Sequence, residues 1–547
     1  MGRLVRYLIG FLAVLNGVVL SVEGQSSRRP TIADQAQAFG ELSDLVRRHY
    51  YEEVDQVDLY DGAIEGYLSH LDPHSTYISA EDFREMQERL EGAFEGIGIY
   101  FEIIEDFLTV LSPIEGSPAS EVGLLPGDRI FKIDGTTSVG IKISEVEGRL
   151  KGPKGTTVHV SVQREGVNVL LEFDIKRDKI RVPSVRYAFM IAEDVGYVKV
   201  DRFSGRTGDE LETALAALSK RGMAKLVLDL RNNGGGYLEQ AVAVSDQLLD
   251  PGRLVVYTEG RRRGSREDHF SQTVPLVPEA IPLIVLVNSR SASASEIVAG
   301  AVQDYDRGLI VGHTTFGKGL VQKQYGLQNG GAVLLTVASY FTPSGRPIQR
   351  PYSGDRLAYL EAAHDDYDPN ADGTIEKPIY YTEILAREVY GSGGITPDVV
   401  LSPDTLTAFE RHLVSDSLVL KFATHHGQEL TRSHVDFDSY FEGFDPGRRV
   451  LSKFRKFLEA YIPRFGDDEA RSLKQSTDFV RRRLRRQIAQ IRWGTAAAGR
   501  IGVEDDPVVQ ESLVLFDKAL ALLDSRAFHG SRRRLNSETD RVFENVR

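Results

Sequence analysis

Between residue 180 and about residue 400 the sequence alternates short apolar runs with helical segments, and this alternation restricts the fold more than any other feature. Leu226 to Leu230 leads through a glycine loop into a helical stretch near 238 to 249. Leu283 to Val287 leads into another near 294 to 303. Apolar strands separated by helices predict an α/β core with a mainly parallel sheet. The flanking regions read differently. Over 31–92, Phe39, Leu42, Leu45 and Val46 recur at helical spacing, and a second helix around Leu59 to Leu71 stops at Asp72-Pro73, so a helical module is expected there. Over 94–177 short β-type runs such as Val158-His-Val-Ser-Val lie between Gly and Pro turns, with one helical stretch near Ile143 to Leu150. A core over 178–400 and a helical region over 401–547 complete the expected division of the 547 residues. The expected fold class is multidomain α/β plus β.

The N-terminus points to a compartment. Arg3 and Arg6 precede an uncharged apolar run from Tyr7 to Leu20, then small and polar residues, which is the pattern of an export signal over 1–24. Glu23 beside Gly24 makes the cleavage site irregular, so a cleaved signal and a retained signal anchor both stand as readings. Either way the protein is expected in the periplasm or cell envelope. Sixty-six Lys+Arg against 79 Asp+Glu give a net charge of −13, which disfavours nucleic acid as a partner. With no cysteine in the chain, disulfides, thiol nucleophiles and zinc-thiolate sites are excluded.

Five segments carry chemistry. Asn288-Ser-Arg-Ser-Ala-Ser-Ala-Ser-Glu296-Ile297 follows the strand 283–287 directly. The others are Thr315-Phe-Gly-Lys318-Gly-Leu-Val-Gln322, Leu228-Asp-Leu-Arg-Asn-Asn-Gly-Gly-Gly236, Leu71-Asp-Pro-His-Ser75 and Gly394-Ile-Thr-Pro-Asp398. A serine at a strand-to-helix junction can expose its hydroxyl while the helix N-terminus offers free N–H groups and partial positive charge to a developing oxyanion. Ser291, Ser293 and Ser295 all fit that description, and any of them could equally be an N-cap. A lysine acting as general base must lose about 3 units from its ordinary pKa of ~10.4, which burial can supply. If 318–322 is extended, a period of two puts Lys318 and Gln322 on one face, within reach of each other. The glycine run can present backbone N–H groups to an anion. It lacks the Gly-Lys-Ser/Thr of a phosphate loop.

Together the five segments resemble the C-terminal processing peptidases, or tail-specific proteases, which are Ser-Lys serine endopeptidases carrying a PDZ domain. The resemblance covers roughly residues 35 to 400. It implies a crotonase/ClpP-like protease core over 178–400 that binds no metal or organic cofactor. It selects Ser293 as nucleophile, because the family serine lies 25 positions before the lysine, as Ser293 lies before Lys318. It makes Lys318 the base and Gln322 the residue that holds the amine. It places the oxyanion donors at the N–H groups of Ala294 and Gly235, with Gly234 and Gly236 not separable from Gly235. The segment 94–177 looks like the PDZ domain. Ser117-Pro-Ala-Ser-Glu-Val-Gly-Leu-Leu-Pro-Gly-Asp-Arg-Ile130 is its most diagnostic stretch, and Gly96-Ile97-Gly98-Ile99 resembles the carboxylate-binding loop. The implied partners are proteins or peptides with free C-termini.

Rival readings exist. A histidine-based pair would draw on His313, His269, His70 or His74. A catalytically silent PDZ adaptor would keep the fold without the reaction, and an acyl-CoA enzyme would share the core fold but leave the PDZ segment unexplained. Asp368 to Gly373 mimics half of a calcium loop, with Ile379 where the final Glu would stand. Residues 471–492 hold eight Lys/Arg, while Val480, Leu484, Ile488 and Ile491 share one helical face. That pattern is an amphipathic helix whose basic side faces solvent, an anionic membrane or an acidic patch on a second subunit. Asp506-Pro507 marks the start of a final helix, and the C-terminal helices are candidates for homo-oligomer contacts.

Overall fold

The computed structural model describes residues 30–352, 354–356, 359, 377–401 and 405–529. The expected export signal and the acidic loop at 368–373 lie outside the described residues. The chain divides into two compact units that part between Leu68 and Ser69.

The first unit holds two helices, Ile32–His49 and Gln56–Leu68. Thr31 and Asp34 form a capping box at the start of the first, so two otherwise unpaired N–H groups are satisfied. Phe39 meets Tyr60 edge-on, and the Tyr60 hydroxyl lies 2.7 Å from Ser43 Oγ.

The second unit is built on a six-stranded sheet in the order Val185–Met190, Val195–Val200, Lys225–Asp229, Leu283–Val287, Leu309–Gly312 and Val399–Val400. The last five run parallel, and the first pairs antiparallel at one edge. Alternate side chains serve two cores. Val198, Leu226, Leu228, Val285 and Val287 pack with the crossover helices Thr207–Lys220, Leu238–Asp246 and Ala294–Asp304. Tyr197, Val227, Ile284, Leu286 and Val311 pack instead with Val509, Phe516, Ala519 and Leu522 from the far end of the chain. A parallel sheet is stable only when both faces are covered. Here residues beyond 500 cover one of them.

Before reaching that face, the C-terminal helices build a core of their own around Phe422, Phe454, Leu458, Leu484 and Ile488, which also takes in Ile104 of the PDZ-like sheet. The helix Thr477–Glu504 buries Val480, Leu484, Ile488 and Ile491, as its pattern requires, and breaks at Gly494. On its basic side Arg481 pairs with Asp445 and Arg485 with Asp505. Asp506 caps the helix Pro507–Leu513 by accepting from Val508 and Val509 N–H.

The PDZ-like segment forms a six-stranded antiparallel sheet. Its main path runs Ile99–Ile104, Phe107–Pro113, Arg129–Ile133, Thr157–Gln163, Leu171–Lys176, with Thr136–Thr137 attached to the third strand. It packs with the helix Ile143–Leu150. A separate two-stranded ladder, Ala93–Gly96 with Asp178–Arg181, closes the neck where this segment enters and leaves the chain.

A further sheet carries the lysine segment. The strand Leu320–Gly326 pairs with Ala332–Phe341, which also receives Leu254–Gly260 and Thr76–Ile78. The last of these corrects the helical reading of 31–92. Thr76–Ile78 is a strand, and its three residues are too few to stand out beside the helix Ala80–Glu91 that follows.

Candidate active site

The serine junction is made by the fully buried strand Leu283–Val287, a turn, and the helix Ala294–Asp304, which is buried along its whole length. The three candidate serines part company here. The Ser291 hydroxyl donates to the Leu230 carbonyl at 2.8 Å, and the Ser295 hydroxyl donates to the Asn233 carbonyl at 2.8 Å; both residues are buried. Their hydroxyls hold the turn to the neighbouring glycine loop. Ser293 is half-buried and lines a cleft of about 570 Å³ together with Lys318 and Gln322. Its backbone takes φ 57° and ψ −114°, a conformation that an L-residue adopts at a cost of about 1–3 kcal/mol. Strain of this kind pushes a side chain out of a sharp strand-to-helix turn. Among the described residues no acceptor faces the N–H of Ala294, the first residue of the helix.

Lys318 enters from the other side. Its Nζ donates to Gln322 Oε1 at 2.7 Å, and Gln322 Nε2 donates to the backbone carbonyl of His74. The two side chains are within reach of each other as expected, although by a different route from unbroken period two: the strand begins at Leu320 and a bulge intervenes between Val321 and Gln322. Burial holds the Lys318 amine below its ordinary range, opposed in part by the negative charges of Glu296 and Asp72. The flanking glycine is required by space. A Cβ on Gly319 would lie 2.6 Å from the Gln349 backbone N. Ser293 Oγ and Lys318 Nζ share the cleft, but no hydrogen bond joins them in this structure.

Glu296 is the residue that the sequence reading quoted and left without a role. Fully buried, it accepts four hydrogen bonds: from Thr315 Oγ1 at 2.6 Å, Gly317 N at 2.7 Å, Ser293 N at 2.7 Å and Lys318 N at 2.9 Å. One carboxylate thus ties the serine turn to the lysine loop. Burial pushes it up to about 7, while the four donors pull toward the ionised form. Its signal in the sequence was the capping-box spacing from Ser293, which places an acidic residue inside an otherwise apolar helix. The Gly394-Ile-Thr-Pro-Asp398 segment braces the same loop: Ile395 N donates to Thr315 Oγ1 at 2.7 Å, and Thr315 N donates to the Ile395 carbonyl.

The glycine loop differs from its expected form. Gly235 N–H does not face the cleft; it donates to Asn233 Oδ1 at 2.9 Å, because the asparagine closes a turn on the amide two residues on. Gly234 and Gly236 line the cleft instead. Gly235 still has a steric duty. At φ 98°, a Cβ there would lie 2.8 Å from Ser293 Cβ and 3.0 Å from Ala294 N, crowding the start of the helix. Upstream, Asp229 is held well below the usual carboxylate range, against its burial, by Lys199, by Arg231 and by the Tyr197 hydroxyl. Arg231 also reaches Asp506 at 2.9 Å, which joins the loop to the C-terminal helices.

Of the histidines, His269 lines the cleft from the outer strand Glu267–Phe270, and His313 follows the strand Leu309–Gly312 outside the cleft lining. His70 is exposed, and His74 contributes its carbonyl. Among the described residues none of them hydrogen-bonds to Ser293.

In the PDZ-like loop the four expected residues divide. Gly96 lies in the neck ladder opposite Asp178. The Ile97 side chain is 2% exposed and belongs to the domain core, so only its backbone is left for a ligand. Gly98 takes φ 81°, and its carbonyl accepts from Ile114 N and Ser117 Oγ. Ile99 begins the edge strand Ile99–Ile104. Among the described residues no group of His, Asp and Glu has metal-holding geometry, and no helix is long and apolar enough to cross a membrane.

Comparison with known proteins places the chain in a family. The model of peptidase family S41 matches residues 194–354, that of the PDZ domain matches 109–164, and that of the activating protease CtpB N-terminal domain matches 18–82. The carboxy-terminal-processing protease of Bartonella bacilliformis is 38% identical over 351 residues, covering 63% of this chain and 80% of that protein. The carboxy-terminal processing proteases CtpA and CtpB of Bacillus subtilis are 37% and 33% identical over 56% of this chain, and the chain spans 65% and 64% of their lengths. The S41 match takes in Ser293, Lys318 and Gln322, and with most of the Bartonella relative covered, the chain belongs to the carboxy-terminal processing proteases of peptidase family S41 and is a protease.

Proposed function

We propose that the protein is an exported serine endopeptidase that cuts near the C-terminal tails of unfolded proteins through an acyl-enzyme. Ser293 Oγ attacks the scissile carbonyl, and the neutral Lys318 amine takes its proton and returns it to the leaving amine. Gln322 Oε1 accepts an N–H of that amine, which leaves the nitrogen lone pair for the serine. The oxyanion is held by the N–H of Ala294 and by a backbone N–H of the glycine loop at Gly234 or Gly236. A hydrolytic water then releases the acyl group. The observation that carries this reading is one residue in a strained backbone at a buried helix N-terminus, sharing a cleft with a buried lysine whose amine is held at 2.7 Å by a neighbouring amide.

Tail recognition is assigned to the PDZ segment. Among the described residues Ile99–Ile104 pairs on one side only, with Phe107–Pro113, and such an edge accepts a peptide as an added strand. Export rests on the charge and hydropathy pattern of residues 3–20.

The test is cleavage of one unfolded substrate prepared with a free and with an amidated C-terminus. The free form is expected to be cut at least tenfold faster, and Ser293→Ala is expected to cut neither while still binding the free tail. Equal rates on the two forms remove tail recognition. Residual cleavage by Ser293→Ala removes the nucleophile.

A further inference from the structure

The Leu71-Asp-Pro-His-Ser75 motif lies far in sequence from the serine and lysine segments, yet its backbone touches Gln322. We infer that the Asp72–Ser75 turn fixes the orientation of the Gln322 amide, and through it the Lys318 amine, which makes Asp72 a positioning residue for peptide cleavage. The inference rests on reading Lys318 as the base and Gln322 as its holder.

The turn is closed by one carboxylate. One oxygen of Asp72 accepts from His74 N at 2.9 Å, Ser75 N at 3.0 Å and Thr336 Oγ1 at 3.0 Å, and the other accepts from Ser75 Oγ at 2.6 Å. Ser75 Oγ in turn accepts from Thr336 N at 3.2 Å. Pro73 restricts φ within the turn, so little freedom is left. Thr336 is the residue directly opposite Gln322 in the ladder between Leu320–Gly326 and Ala332–Phe341. The turn is therefore hung on the rung that carries Gln322, and the His74 carbonyl is presented to it.

An amide side chain has one donor end and one acceptor end. With Nε2 committed to the His74 carbonyl, Oε1 must face Lys318. The flipped amide would set two carbonyl oxygens against each other and aim an N–H at the lysine nitrogen, occupying the lone pair of the neutral amine. A free glutamine at this position would sample both orientations, and only one of them accepts from the lysine. The His74 ring adds no competing cation. Its Nε2 lies 2.9 Å from the Tyr359 hydroxyl and its ring meets Phe316 edge-on, while burial and then the charge of Lys318 push it down to about 4.

The bland reading of the same bonds is that Asp72 merely seats the strand Thr76–Ile78 on its sheet. A double-mutant cycle on the full-length protein separates the two. Asp72→Ala and Gln322→Ala are each expected to lower kcat by roughly 10- to 100-fold with KM within twofold, the scale of a small misplacement of a reacting group. The double variant is expected to be no slower than Gln322→Ala alone, and Asp72→Asn, which keeps an acceptor oxygen, to recover part of the loss. If Asp72→Ala does not fold, Thr336→Val keeps the side-chain shape while removing one tether. It should slow the wild-type background several-fold and leave the Gln322→Ala background unaffected. Losses that multiply in the double variant, or a change confined to KM, overturn the positioning role and leave the reading of Lys318 and Gln322 standing. Full activity in Gln322→Ala overturns both.

Discussion

The sheet places two similar junctions side by side. Lys225–Asp229 and Leu283–Val287 are adjacent parallel strands, and each runs through a short turn into the N-terminus of a helix. What they do with their backbone donors differs. At the glycine junction Asn233 takes the Gly235 N–H with its own side chain, and its amide Nδ2 donates to the Val200 carbonyl. At the serine junction two hydroxyls are spent on the neighbouring loop, the third is left to the cleft, and among the described residues the Ala294 N–H keeps no acceptor. The clamps differ too. Asn233 does not titrate, whereas the serine junction hangs on Glu296, a buried carboxylate with four donors. A closed turn stabilises a fold, and an open one leaves a donor for chemistry.

That contrast can be broken experimentally. The largest effects are expected from pH and at Gly235. On the proposed reading Lys318 acts as the neutral amine, whose fraction rises with pH until its lowered pKa is passed; Glu296 becomes a carboxylate as pH rises through about 7. Deprotonation of Lys318 favours activity as pH rises, and the charge gained by Glu296 opposes it only in part, so kcat/KM should climb about 10²-fold from pH 6 to 9, at up to about tenfold per unit. A flat profile, with chemistry limiting, would reject Lys318 as the neutral base. Next comes Gly235→Ala, whose Cβ would crowd Ser293 and Ala294 N without touching the PDZ segment. A loss of roughly 10²- to 10³-fold in kcat is expected, the scale of a lost oxyanion contact, with tail affinity unchanged. A loss of tail affinity instead would mean that the loop shapes binding. The smallest effect belongs to Ser291→Ala and Ser295→Ala. Each removes a buried hydrogen bond worth about 1 kcal/mol and should lower the melting temperature while leaving kcat within twofold. A large kcat loss in either, with the fold intact, would show that the three serines are not functionally distinct.

Some of this was readable before the structure. The strand-to-helix position of Ser293 follows from periodicity, and the reach from Lys318 to Gln322 was legible because the two lie only four residues apart, although a bulge breaks the strict alternation between them. The choice among three serines was not readable from local chemistry and came only from the family spacing, since it depends on which hydroxyl meets a carbonyl about 60 residues away. Gly235 failed for a different reason. Its N–H is claimed by an asparagine two positions back, and turn chemistry of that kind competes with any assignment made by spacing. The strand Thr76–Ile78 was masked by its brevity. The destination of the last helices was hidden as well, because strands such as Leu283–Val287 are apolar at every position and give no clue to which layer covers which side.

The contribution of residues beyond 500 to the sheet has a consequence for the order of events in biosynthesis. A growing chain emerges from its N-terminus, and domains usually fold as they appear. Here the serine, lysine and glycine segments all emerge while Val227, Ile284, Leu286 and Val311 still lack Val509, Phe516 and Ala519 to cover them. Each of these large side chains stands to gain about 1.5–3 kcal/mol on burial, so the half-covered sheet is far from its final stability. The core is therefore complete only once residues beyond 500 have reached the sheet, so the serine, lysine and glycine segments gain their final support from the part of the chain that emerges after them.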